Sequence, residues 1–191
     1  MPARLLITLL VITALLFTGC GDDKKDSSDS GSDAKPPSGP AATGDSVSGT
    51  AFTLNLAPGW RDATEEADDG AFNFDLVLVE PGKQFSTNIN ILRENPSGDV
   101  DVDDLREQYR GQLDSVGATG VTDSTPVSLD GDDAITYKYV KKTPGGDEVR
   151  GRQVLVVHDD FVLTITMTAI TSEFAGANDD FDSMLASWRW N

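Results

Sequence analysis

Residues 135–158 read ITYKYVKKTPGGDEVRGRQVLVVH, and this stretch decides the fold. Ile135, Tyr137 and Tyr139 alternate with Thr136, Lys138 and Val140, and Pro144-Gly145-Gly146 interrupts the pattern. A period of two on both sides of a Pro-Gly turn predicts an antiparallel hairpin, with strands over 135–142 and 149–158. Centring the loop on Gly145 places Lys138 opposite Arg152 and Val140 opposite Arg150. Val154-Leu155-Val156-Val157 is apolar on both faces, which puts that strand inside a sheet covered on each side.

The pattern continues in both directions. Asp159-Asp160 is a turn into a last long strand, Phe161 to Ile170. Phe161, Leu163, Ile165, Met167 and Ala169 share one face of it, and Val162, Thr164, Thr166, Thr168 and Ile170 share the other. Upstream, strands are predicted over 51–56, 72–79, 86–93 and 127–129, separated by Pro58-Gly59, Pro81-Gly82 and Asp130-Gly131. Two segments have a helical period. Asp101 to Val116 lines up Val102, Leu105, Tyr109, Leu113 and Val116, and Glu173 to Trp188 lines up Phe174, Ala177, Phe181, Met184, Leu185 and Trp188. Asn178-Asp179-Asp180 is a capping sequence, so the second helix is expected to break there. Strands joined by hairpins with interspersed helices define an α+β class: an antiparallel sheet of about six or seven strands flanked by helices.

The facing Lys138, Arg150 and Arg152 need a reason. Like charges directly opposed across a sheet destabilise it, and the chain as a whole carries a formal net charge of −17. Either a carboxylate such as Asp75 neutralises them, or the register is shifted by one, or they form a face for an anionic headgroup or carboxylate. In the last reading that face includes Tyr137, Tyr139, Thr164, Thr166 and Thr168. The acidity itself excludes nucleic-acid partners, because such a surface repels a phosphate polymer.

The N-terminal end has a separate logic. Arg4 precedes a run from Leu5 to Phe17 in which every residue is apolar or Thr, and Thr18-Gly19-Cys20 follows. That is the layout of a secretory signal, and it is shorter than the roughly 20 residues a spanning helix needs. Leu16-Phe17-Thr18-Gly19-Cys20 resembles the lipobox of bacterial lipoproteins, with Phe17 where Leu is usual. The resemblance implies cleavage before Cys20 and a diacylglyceryl group on its thiol. Two acyl chains give stable anchoring where one does not. Cys20 is the only cysteine, so a lipidated chain has no thiol left for disulfides, metals or nucleophilic catalysis. From Gly21 to about Ser46 the chain is Gly, Ser, Asp, Lys, Pro and Ala with a single Thr, too polar to offset its ordering entropy. As a coil its roughly 26 residues average about 28 Å end to end. The expected organisation is a leader over 1–19, a lipidated tether over 20–46 and one domain over 47–191.

The order of elements now supports a family resemblance. A strand leads into Ala57-Pro58-Gly59-Trp60, then come a hairpin with Asn88-Ile89-Asn90-Ile91-Leu92, a helix, a strand ending Leu129-Asp130-Gly131, two long hairpin strands, a Thr-rich strand and a terminal helix. This resembles the Mog1/PsbP-type α/β/α sandwich, and within it the LpqN-type lipoproteins of actinobacterial envelopes. The resemblance implies a non-enzymatic role, binding an envelope lipid or assisting a membrane-protein partner at the outer face of the cell membrane.

Chemistry-bearing motifs are few. His158 is the only histidine; beside Asp159 and Asp160 it offers a conceivable metal site, but it reads as a solvated turn. No G-x-S-x-G, P-loop or dinucleotide fingerprint occurs. Asp99 to Asp104 imitates a calcium loop but lacks Gly at its sixth place and Glu at its twelfth. No catalytic residue, metal or cofactor is therefore expected. An envelope hydrolase working through carboxylates or a loop-bound metal, and a structural surface protein without a small ligand, are the competing readings. Trp60 is expected to plug one end of the sheet and Trp188 to continue the helix stripe.

Overall fold

A computed structural model describes residues 34–68, 73–81, 85–96 and 102–191, with side chains in the second helix from Leu105 onward. Cys20, the leader, most of the tether and residues 99–101 of the acidic run lie outside these residues, and α2 takes up the rest of that run as backbone. The elements in chain order are β1 (Ser46–Ser48), β2 (Phe52–Asn55), β3 (Arg61–Asp62), α1 (Thr64–Ala67), β4 (Phe74–Glu80), β5 (Thr87–Glu94) and α2 (Val102–Ser115). There follow β6 (Thr119–Asp123), β7 (Val127–Leu129), β8 (Asp132–Lys142), β9 (Glu148–His158), β10 (Phe161–Ile170), α3 (Phe174–Ala186) and β11 (Arg189–Trp190).

The main sheet is antiparallel and ordered β3-β4-β5-β10-β9-β8-β6, with β7 also paired to β8. That makes eight strands, more than the alternating pattern predicts, because β3 has two residues and β6 is a separate strand before β7. A second sheet, β1-β2-β11, joins the start of the domain to its C-terminal end. The predicted hairpin register holds: Lys138 pairs with Arg152 and Val140 with Arg150. β9 lies between β8 and β10, as its two-sided apolar run requires.

Layers cover both faces of the main sheet. On one face, α3 and β2 bury Leu76, Leu78, Ile89, Ile91, Val154, Val156, Leu163, Ile165 and Met167. Trp188 is wholly buried there and stacks on Phe52, ring centroids 4.0 Å apart. Full burial of one such side chain contributes about 1.5–3 kcal/mol. On the other face, α2 sets Leu105, Tyr109 and Leu113 against Ile135, Tyr137, Tyr139, Leu155 and Val162. Beside them α1 packs Ala63 and Ala67 on Val77 and Val79.

α3 is continuous from Phe174 to Ala186, so the break expected at Asn178 is absent. Asn178 is not a cap: its Oδ1 accepts a hydrogen bond from Arg152 at 3.1 Å, which satisfies the amide without ending the helix. The domain also starts earlier than composition predicts. Residues 34–45 run along its surface rather than hanging free. The Lys35 amide donates to Pro126 O, Ser128 donates back to Lys35 O, and the Ala42 amide donates to Ser183 O on α3. Ala42 is buried. These are backbone bonds of an aperiodic segment, which a polar Pro/Ser-rich composition does not signal.

Candidate functional site

The candidate residues of the sheet do not form one face. In β8 successive side chains alternate, so Lys138 lies opposite in orientation to Tyr137 and Tyr139. β10 pairs Thr166 with Gln153 and Met167 with Arg152. Thr164, Thr166 and Thr168 therefore share the α2 face with Tyr137 and Tyr139, and Lys138, Arg150 and Arg152 share the α3 face. The sheet separates the two sets, and the predicted combined anion face is corrected to two distinct surfaces. The signal was available in the sequence: a two-residue Asp159-Asp160 turn puts even-numbered threonines across from odd-numbered residues of β9.

On the α2 face the polar set is enclosed. Asn88, Asn90, Gln153, Thr166, Thr168 and Tyr139 are all buried. The Asn90 amide donates to Asn88 Oδ1 at 3.1 Å and the Gln153 amide to Thr166 Oγ1 at 3.3 Å. Yet Asn90 Oδ1, Gln153 Oε1, Thr168 Oγ1 and the Tyr139 hydroxyl have no partner. The Tyr139 ring lies over Gly151, where an added Cβ would meet its Cζ at 2.1 Å. Its hydroxyl reaches Thr168 without closing a bond of ordinary geometry, and burial pushes the phenol up to about 12. Tyr109 is raised further, by burial and then by Glu94, whose carboxylate accepts its hydroxyl at 2.6 Å.

The α3 face holds the basic residues, and they differ from one another. Arg152 is 4% exposed. It donates to Asp182 Oδ1 at 2.6 Å and sits over the Phe181 ring, while its Nε has no partner. The neutralising carboxylate is thus Asp182 on α3. Asp75 instead accepts from the Thr50 amide at 3.0 Å and the Thr50 hydroxyl at 2.5 Å. Asp182 is also held by Ser38, whose hydroxyl donates to Oδ2 at 2.6 Å. Lys138 is half-buried and Lys35 exposed, and neither forms an ion pair among the described residues. Arg150 is exposed and lies over Phe174.

Lys138 and Arg152 form the floor of a cavity of about 390 Å³. Lys35, Pro36 and Ser38 form one wall, Ser124 to Val127 another, and Asn178 and Asp182 of α3 the third. The size falls within the range of ligand sites. The lining is rich in hydroxyl, amide and ammonium donors and poor in large apolar side chains.

A second cleft, about 470 Å³, has the opposite character: Glu80, Glu173 and Asp180 line it. Burial, then the Asp180 and Glu173 charges, push the Glu80 carboxyl up. Trp60 closes that end, donating its indole N–H to Asp180 at 3.1 Å. His158 is not in a solvated turn. Its Nδ1 lies 2.6 Å from Asp132 and its ring stacks on Trp190, centroids 3.9 Å apart. Among the described residues no group of three His, Cys, Asp or Glu side chains is placed to hold a metal ion, and no helix is long and apolar enough to cross a membrane.

Two covered faces, an eight-stranded antiparallel sheet and a terminal helix make this a Mog1/PsbP-like α/β/α sandwich. The same fold occurs in LpqN, a protein involved in cell envelope biogenesis of Mycobacterium tuberculosis: TM-score 0.60 and 18% identity, over 80% of this chain and 90% of that one. It occurs too in the cyanobacterial PsbP of Synechocystis sp. PCC 6803, with TM-score 0.55 and 14% identity over 77% and 92% of the two chains. No family model matches the sequence, and no curated protein matches it.

Proposed function

We propose that this chain is a lipid-anchored, extracytoplasmic accessory protein of the cell envelope, whose domain binds rather than catalyses. The diacylglyceryl thioether on Cys20 holds it to the outer face of the cell membrane, and its partner is an envelope lipid or a membrane protein. The observation that carries this reading is the junction at Lys35. Among the described residues the Lys35 main chain is hydrogen-bonded to Pro126 and Ser128 of the domain, fifteen residues after the lipobox cysteine. The domain thus begins within a short leash of the proposed anchor. The fold shared with LpqN, named for cell envelope biogenesis, supports the compartment.

Intact-mass measurement of the protein extracted from its own membranes tests this. The expected mass is that of a chain starting at Cys20 with a diacylglyceryl addition, and Cys20→Ala should move the protein out of the membrane fraction. A bare residue 20, or a retained leader, overturns the reading.

A further inference from the structure

We infer that the cavity floored by Lys138 and Arg152 receives the anionic headgroup of a lipid in the same bilayer that holds the tether. This rests on the anchored reading above and gives it a ligand class.

Four observations converge on this cavity. Lys138 stands directly across the sheet from Arg152, an arrangement that costs stability unless something negative lies between or above them. Asp182 supplies one carboxylate, and Arg152 and Ser38 already occupy both of its oxygens. Lys138 and Lys35 are left without a counter-ion among the described residues, and so is the Arg152 Nε, buried and without an acceptor. In a chain of net charge −17, two unpaired ammonium groups lining one cavity mark a place for an anion. Ser124, Thr125 and Asn178 supply further neutral polar groups around it, a mixture suited to phosphate oxygens.

The position selects the source of that anion. Lys35 both lines the cavity and is tied by its main chain to Pro126 and Ser128. Fifteen residues separate it from Cys20, which reach at most about 50 Å when fully extended. The mouth is therefore held near the headgroup layer, where the effective concentration of lipid phosphate is high. The lining is mostly polar, so the cavity suits a headgroup whose acyl chains stay in the bilayer. The remaining surface is acidic and repelled by anionic lipid, which leaves this cavity to supply the attraction.

The sole cysteine makes the test direct. The mature chain from Cys20 is coupled through its thiol to a maleimide lipid. It is then seated in phosphatidylcholine vesicles with or without phosphatidylglycerol, and melted while tryptophan fluorescence is followed. Phosphatidylglycerol is expected to raise the midpoint by about 4 °C. Each variant is read against its own midpoint in pure phosphatidylcholine, so a loss of intrinsic stability does not imitate a loss of binding. Lys138→Gln and Lys35→Gln should each remove at least half of the shift, and Lys142→Gln, on the same strand but outside the cavity, should keep it. An equal shift in all chains, or none, overturns the proposal. Glycerol phosphate added to the unanchored chain should act at least about tenfold more weakly. If it acts as strongly, the site takes a soluble anion and the membrane source is overturned. Because the coupling is chemical, these outcomes do not depend on lipidation in the cell, whose failure shows in the mass measurement instead.

Discussion

Arg152 and Lys138 face each other across β8 and β9, and only Arg152 has a carboxylate, Asp182 at 2.6 Å. The two cations therefore respond differently to removal. Asp182→Ala strands a guanidinium whose side chain is only 5% exposed. The loss of one partner of a buried pair costs about 3–5 kcal/mol. Lys138→Thr relieves the opposed charge and should be neutral or gain up to about 1 kcal/mol. Urea unfolding of both variants checks the contrast.

Gly151 is a packing requirement rather than a flexible point. A Cβ there would stand 2.1 Å from Tyr139 Cζ. Gly151→Ala forces the ring off its place and should cost about 1–3 kcal/mol. The signature is a lower melting midpoint together with a changed near-ultraviolet tyrosine signal. An unchanged spectrum would show that the ring does not lie over this glycine.

All three tyrosines, Tyr109, Tyr137 and Tyr139, are raised above the ordinary phenol value, in each case chiefly by burial. A raised folded-state value favours the folded chain below the unfolded phenol value near 10. That contribution is lost as pH climbs through the folded value, about 12 for Tyr139. Phenolate absorbance should therefore lag the titration of free tyrosine and appear together with unfolding. A tyrosine that ionises near 10 in the folded chain contradicts the packing of the α2 face.

Glu80 is raised by burial and by Asp180 and Glu173. The same sign applies: its contribution is present below the unfolded carboxyl value and disappears as pH rises through the folded one, so its ionised form works against the fold at neutral pH. Glu80→Gln should raise the midpoint at neutral pH and much less in acid. Thermal melts at both ends of that range measure it.

Trp190 joins His158 to the C-terminal strand. It stacks on the imidazole and donates its indole N–H to Leu129 O at 3.2 Å. Removing the pair by His158→Ala should cost about 0.5–1.5 kcal/mol beyond the lost area. The double variant with Trp190→Ala should be less than additive, because the two rings are in contact.

The hairpin around Gly145 was readable because three signals agree there: period-two alternation, a Pro-Gly turn and a doubly apolar strand. β3, β6, β1 and β11 were not: β3 and β11 have two residues each, too few to alternate, and β1 and β6 are small and polar with one half-buried valine apiece. The basic cluster was legible as a cluster, through Lys138 and Arg152. Its neighbours are not legible from composition, because the face each threonine takes depends on the register of β10 across the Asp159-Asp160 turn. The Lys35 wall was invisible for a physical reason: its attachment is made by main-chain groups and one serine hydroxyl, which leave no hydrophobic period behind.

The docking of residues 35–42 gives the molecule a direction of mechanical weakness. Among the described residues, a pull from the N-terminal side loads the two main-chain hydrogen bonds at Lys35, then the Ser38–Asp182 contact, and then the Ala42 amide on α3. The Lys35 bonds end on β7 and the residue before it, and none of these contacts joins two strands of the main sheet to each other. Tension would peel Lys35 and Ser38 away and dismantle one wall of the cavity while the hydrophobic layers stayed intact, so grip on a ligand and strain on the leash oppose each other.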